Sequence, residues 1–167
     1  LTYTFVSSNN ISANENIENC SIKNVPSKER IFSKNFSGVF NGKRIDYVAS
    51  LKEKIIYEKD NPSEPMASFF YTEYIVESDK NRPIIFSFNG GPGSASLWLH
   101  MGVLGPKVIK VPSDASDDGA APFKIVDNKL SPLSDADLVF IDPIGTGYSR
   151  AIGCHEPEEF WGVSEDP

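Results

Sequence analysis

The sequence predicts an α/β fold: a mixed sheet with a β-rich lead-in. Three observations predict it. Residues 84–88 and 138–141 are short apolar runs of strand length, and each is followed by a glycine cluster, Asn89-Gly90-Gly91-Pro92-Gly93 and Gly145-Thr146-Gly147. Upstream, the strand-like runs NFSGVF and RIDYVASL flank Asn41-Gly42, a strong hairpin signal. Between these regions, MASFFYTEYIVES carries bulk at both odd and even positions, as a strand well inside a sheet would.

The elements follow in order. Residues 1–34 are polar, rich in Asn and Ser, and form an expected weakly structured lead-in. Residues 35–167 form the expected sheet domain. Its first part is the Asn41-Gly42 hairpin, with EKIIYE as a further strand candidate and NPSEP, residues 61–65, as a breaker. The aromatic strand comes next, then the strand at 84–88 and a short helix or turn from about Ser96. VPSDASDDGAAP is a polar loop, FKIVDN a short strand, and residues 138–141 a buried strand closed by Asp142-Pro143. Parallel strands need a crossover connection, so residues 94–138 are expected to supply it.

Composition narrows the functional classes. The chain has 167 residues, a typical single-domain length, and a net charge of −7, which disfavours a nucleic-acid partner. Residues 1–60 hold nine Lys/Arg against seven Asp/Glu, and residues 61–167 hold seven against sixteen, so the acidity lies downstream. No apolar run is long enough to span a bilayer as a helix. The opening LTYTFVSSNN has neither the basic start nor the apolar core of a signal peptide, which fits a mature or cut form. Cys20 and Cys154 leave one disulfide or two thiols open, and two histidines, His100 and His155, argue against a histidine-built zinc site. No cofactor is expected.

The glycine clusters do not suit phosphate. No Walker A pattern occurs, both clusters lack the last glycine of a dinucleotide fingerprint, and Pro92 removes an N–H that a phosphate cradle would use. A Gly-x-Ser-x-Gly nucleophile elbow is also absent. Ser149, in Gly147-Tyr148-Ser149-Arg150-Ala151, stands too far beyond its strand and is read as a loop serine bonded locally. The remaining chemistry is an oxyanion hole. A glycine-rich loop after a strand lets a backbone N–H approach a reacting carbonyl with no Cβ in the way. Pro92 and packing of Trp98 are expected to hold that donor still. A tight turn with no chemistry is the competing reading.

FNGGPGSASLWLHMGVLGP resembles the Asn-Gly-Gly-Pro-Gly segment of the serine carboxypeptidase family (peptidase family S10), and DLVFIDPIGTGYSR resembles its next hallmark. The resemblance covers about residues 67–150, and SLWLHMG and GPKVI resemble bacterial members. It implies an α/β-hydrolase-type sheet of which this chain is the N-terminal part, cut before the nucleophile. It also implies hydrolysis of C-terminal peptide bonds by a Ser-His-Asp triad located downstream. By the same resemblance Gly91 supplies the oxyanion N–H, Gly90 shapes the loop, and Asn89 bonds the carboxylate of a peptide substrate. Asp142 and the glycines at 145 and 147 shape the cleft wall. His100 is a structural or supporting residue and His155 a tail residue.

Three positions depart from the family pattern. Ser87 stands where Trp is frequent, Ser94 where a disulfide Cys is frequent, and Val103 where a Glu shares the carboxylate network with Asn89. The last departure points to relaxed specificity or another anchor. The partners implied are a peptide substrate and the remaining C-terminal part of the same protein, in a secreted or periplasmic setting. An acyltransferase on the same fold, a non-catalytic binding relative and an unrelated β-rich domain are the alternatives. The sheet is expected to expose apolar surface at 84–88 and 138–141.

Overall fold

The computed structural model describes residues 25–78, 81–90, 93–111 and 122–162. Most of the expected lead-in, Cys20, Gly91, Pro92 and nearly all of the expected 111–122 loop lie outside the described residues.

Strands β1 (Ile31–Phe40) and β2 (Lys43–Tyr57) form an antiparallel hairpin with Phe40 opposite Lys43. Its two-residue turn is Asn41-Gly42, with φ of 49° and 76°. Both values are left-handed, as a type I′ turn requires, and that turn matches the twist of the flanking strands. The turn is also held from outside. Asn41 N donates to Lys129 O at 2.8 Å, and its Nδ2 donates to Ser134 Oγ at 2.8 Å.

Two boundaries differ from expectation. β1 starts at Ile31, inside the segment read as weakly patterned, where Glu53 N donates to Arg30 O at 2.9 Å just before the strand. EKIIYE is not a separate strand. It continues β2, which runs for 15 residues because no breaker interrupts it, with a register shift at Ile56/Tyr57.

β3 (Pro65–Ile75) pairs with β2 along one edge, and β4 (Ile84–Ser87) follows. α1 (Leu97–Leu99) runs into a π-helical turn, His100–Leu104. Next come β5 (Lys107–Lys110) and β6 (Lys124–Asp127), a separate two-stranded ribbon. β7 (Asp137–Ile141) and β8 (Arg150–Ala151) complete the strands. The sheet order is β1-β2-β3-β7-β4, and β8 also pairs with β3. β3 is therefore bordered on both edges, as its two bulky faces predict.

β4 and β7 are parallel neighbours, with Ile84 level with Asp137 and Ser87 level with Phe140. The helical turn and the ribbon supply the crossover between them. Asn128 seats it, donating from Nδ2 to Val103 O at 2.7 Å and to Gly105 O at 2.9 Å, while Ser131 Oγ donates to Leu104 O at 2.8 Å. These bonds satisfy carbonyls that the end of a helix leaves open.

One sheet face holds the core: Phe40, Tyr47, Leu133, Leu138 and Phe140, with Leu99 and Leu104 of the crossover packed against it. Tyr47 meets Phe40 and Tyr74 edge-on at 5.8 Å and 5.9 Å between centroids. The buried Glu53 on β2 accepts from Arg30 at 2.6 Å and 3.1 Å and from the Ser68 hydroxyl. The Arg30 hydrogen bond outweighs the burial and holds the Glu53 carboxyl below its ordinary range.

The expected apolar exposure is half realised. β4 is the edge strand, so Ile84, Phe86 and Phe88 are exposed, whereas Leu138, Val139 and Phe140 of β7 are buried between β3 and β4. The consequence is measurable by urea unfolding of the 167-residue chain. Leu138→Ala should cost about 3 kcal/mol, the loss typical of a buried leucine. Phe86→Ala should change stability by less than about 0.5 kcal/mol, because its ring is 63% exposed.

Candidate active site

Adjacent parallel strands deliver their following loops to the same end of the sheet, the usual place for ligands in α/β sheets. Here the glycine loop after β4 and the 142–149 loop after β7 meet. The joint is Ser96, which is 2% exposed. Its N–H donates to Asp142 Oδ1 at 2.8 Å, its hydroxyl donates to Ile141 O, and the same Oγ accepts from Asn89 N at 3.4 Å. Both arms of the first loop are thereby fastened to the end of β7.

The second loop closes over the same carboxylate. Gly147 has φ of 54°, and a Cβ there would collide with the Asp142 side chain. Glycine meets both demands, steric and conformational. Short bonds keep the loop compact: Thr146 N and Oγ1 donate to Pro143 O at 3.0 Å and 2.8 Å, and Gly145 N donates to Ser149 O at 3.0 Å. Trp161 Nε1 donates to Ile144 O at 3.2 Å and braces it from the 3₁₀ turn Pro157–Phe160.

The expected site residues stand as follows. Asn89 is half-buried, and its Nδ2 donates to Ala95 O at 2.8 Å and Ser94 Oγ at 3.2 Å. Its amide hydrogens hold its own loop. Gly90 is exposed, and a Cβ at that position would meet nothing within 4 Å. Gly91 lies outside the described residues. Val103 sits in the π-helical turn, exposed.

Two readings need correction. Trp98 is 74% exposed and packs on no core residue, so it does not brace the loop. Ser149 is buried, and its hydroxyl accepts from Phe70 N on β3 at 2.8 Å, a bond across the sheet and not a local one.

His100 lies behind the glycine loop. Its ring stacks on Phe140 with centroids 4.5 Å apart, and its Nε2 pairs with Tyr74 Oη at 2.5 Å. Burial pushes the imidazole below its ordinary 6.5, against the pull of Asp142, and pushes the Tyr74 phenol up. The pair is thus neutral and bonded, which avoids an unpaired buried charge. His155 bridges the 61–65 loop and the last turn, with Nδ1 2.7 Å from Glu159 Oε2 and Nε2 3.6 Å from Glu64.

Cys154 is disulfide-bonded. Among the described residues no group of three His, Cys, Asp or Glu side chains could hold a metal ion. No helix among them is long and apolar enough to cross a membrane.

The serine carboxypeptidase family model matches residues 48–155, which include both loops. The chain belongs to the serine carboxypeptidase family. It is similar to carboxypeptidase Y homolog A of Leptosphaeria maculans, 34% identical over 95 residues, covering 56% of this chain and 16% of that protein. It is also similar to serine carboxypeptidase-like 9 of Arabidopsis thaliana, 34% identical over 90 residues, covering 52% of this chain and 19% of that protein. The chain thus spans under a fifth of the length of these relatives. No solved structure matches it.

The His100 environment sets a pH dependence. Between its depressed native value and 6.5, the unfolded chain binds the proton more readily than the folded one. Stability is therefore full above about pH 7 and falls as pH drops below about 6.5. Thermal melts across this range should show that loss, and it should flatten in His100→Gln, which keeps a polar partner for Tyr74 without titrating.

Proposed function

We propose that this chain is the N-terminal part of a serine carboxypeptidase built on an α/β-hydrolase-type sheet. Its role is to carry the oxyanion-hole loop. The observation that carries the reading is the family match across two glycine loops that the parallel β4–β7 pair brings to one end of the sheet. In this reading a serine downstream of the chain attacks the peptide carbonyl, assisted by a histidine and an aspartate also located downstream. The Gly91 N–H stabilises the tetrahedral oxyanion, with Gly90 shaping the approach. Gly90 supports this role in that a Cβ there would meet nothing within 4 Å among the described residues.

Asn89 is proposed to meet the substrate's terminal carboxylate by exchanging its 3.2 Å contact with Ser94. With Val103 in place of an acidic partner, the hold on that carboxylate is weaker and specificity is relaxed. Proteolysis in an oxidising setting, secreted or periplasmic, is consistent with the Cys154 disulfide. An acyltransferase on the same framework differs only in admitting an alcohol in place of water.

The full-length protein should label with a fluorophosphonate probe and release the C-terminal residue of a blocked dipeptide. The 167-residue chain alone should do neither. Absence of labelling in the full-length protein would leave a non-catalytic binding relative as the reading. Gly90→Val in the full-length protein should lower kcat on the order of 100-fold, by filling the space where the acyl group must approach.

A further inference from the structure

We infer that Asp142 is a positioning residue for the glycine loop, and that it acts through Ser96 without touching substrate. The inference rests on the function proposed above and assigns that site a further residue.

Three observations carry it. Asp142 follows β7 directly, level with the start of the loop that follows β4. Its Oδ1 accepts from the backbone of Ser96, the residue where the glycine loop ends, at 2.8 Å. Its other oxygen is hemmed in by Gly147, where any side chain would displace the carboxylate. A charge-assisted bond from a carboxylate to a backbone N–H is shorter and about twice as strong as a neutral one. Placed here, it selects one position for the arm formed by Ser94, Ala95 and Ser96.

That arm in turn fixes the other one. Asn89 is bonded through its side chain to Ser94 and Ala95 and through its N–H to Ser96 Oγ. The Ser96 hydroxyl keeps its bond to Ile141 O, so loss of the Asp142 acceptor frees the Ser96 N–H and lets the two described arms, which are bonded to each other, shift together. Displacement of such a loop by about 1 Å is enough to cost on the order of 100-fold in rate. The Gly147 backbone makes the arrangement two-sided, because the loop after β7 must be in place before the carboxylate is confined. The positioning thus couples the two glycine clusters, which neither cluster could achieve alone.

The test uses the full-length protein and the turnover of a blocked dipeptide at saturating concentration. Asp142→Leu, close in size but without an acceptor, should lower kcat on the order of 100-fold. Its melting temperature should stay within a few degrees of wild type. Asp142→Asn, which keeps an oxygen for the Ser96 N–H, should recover kcat to within about tenfold of wild type. Gly147→Ala should reproduce at least a tenfold loss while leaving Asp142 in the sequence; this variant decides the matter if Asp142→Leu does not fold. A wild type that turns over the dipeptide while Asp142→Leu or Gly147→Ala keeps kcat within threefold overturns this inference alone. Equal losses in Asp142→Leu and Asp142→Asn also overturn it, since the acceptor would then be irrelevant. A wild type with no turnover overturns the inference together with the function it rests on.

Discussion

The parallel pairing of β4 with β7 is the constraint on which the rest depends. It is a short ladder, four residues on the β4 side. Yet it alone brings two glycine clusters, far apart in sequence, to the same end of one sheet. Without it the 89–96 loop would have no neighbour to fasten to, and Asp142 would face water. β3 contributes by bordering β7 on its other side, so that β7 is held along both edges.

The polar bonds near the site divide into two kinds. Those of Asn128 and Ser131 settle the crossover's open carbonyls and keep the helical turn over the core. Those of Ser96, Asp142 and Asn89 do the same for a loop that has no regular structure to satisfy it. Irregular backbone at a sheet end must bond somewhere, and here it bonds to itself and to β7. The loop is therefore shaped before any ligand arrives. Preorganisation of this kind is what lets a backbone donor act on developing charge without first reorienting.

Much of the fold was legible in the sequence because its signals are local. Asn41-Gly42 dictates a I′ turn through two residues that tolerate positive φ, and the structure has that turn. The bulk on both faces of β3, the two strand-to-glycine junctions and the length of the crossover also follow from nearest neighbours. What escaped needs partners distant in sequence. Nothing near Ser96 announces that its hydroxyl will cross to Ile141. Trp98 was read as a brace for the glycine loop, but it is 74% exposed. Nothing near Glu53 in the sequence announces that Arg30 and Ser68 will close on it. The family resemblance, in turn, rested on two motifs, and the family match covers both. The roles of single residues within them are not written in the motifs.

The crossover has one further consequence. Ile84 can find Asp137 only after the intervening ribbon and helical turn have collapsed, so this contact carries a large loop-closure cost. β4 is then the last strand to join, and until it does, the outer edge of β7 is open to strands of other chains. Synthesis from the N-terminus makes β4 early and its partner late. While the crossover is translated the nascent chain carries the apolar β4 without its partner, and yield in production will depend on how quickly that interval closes or on a chaperone that shields it.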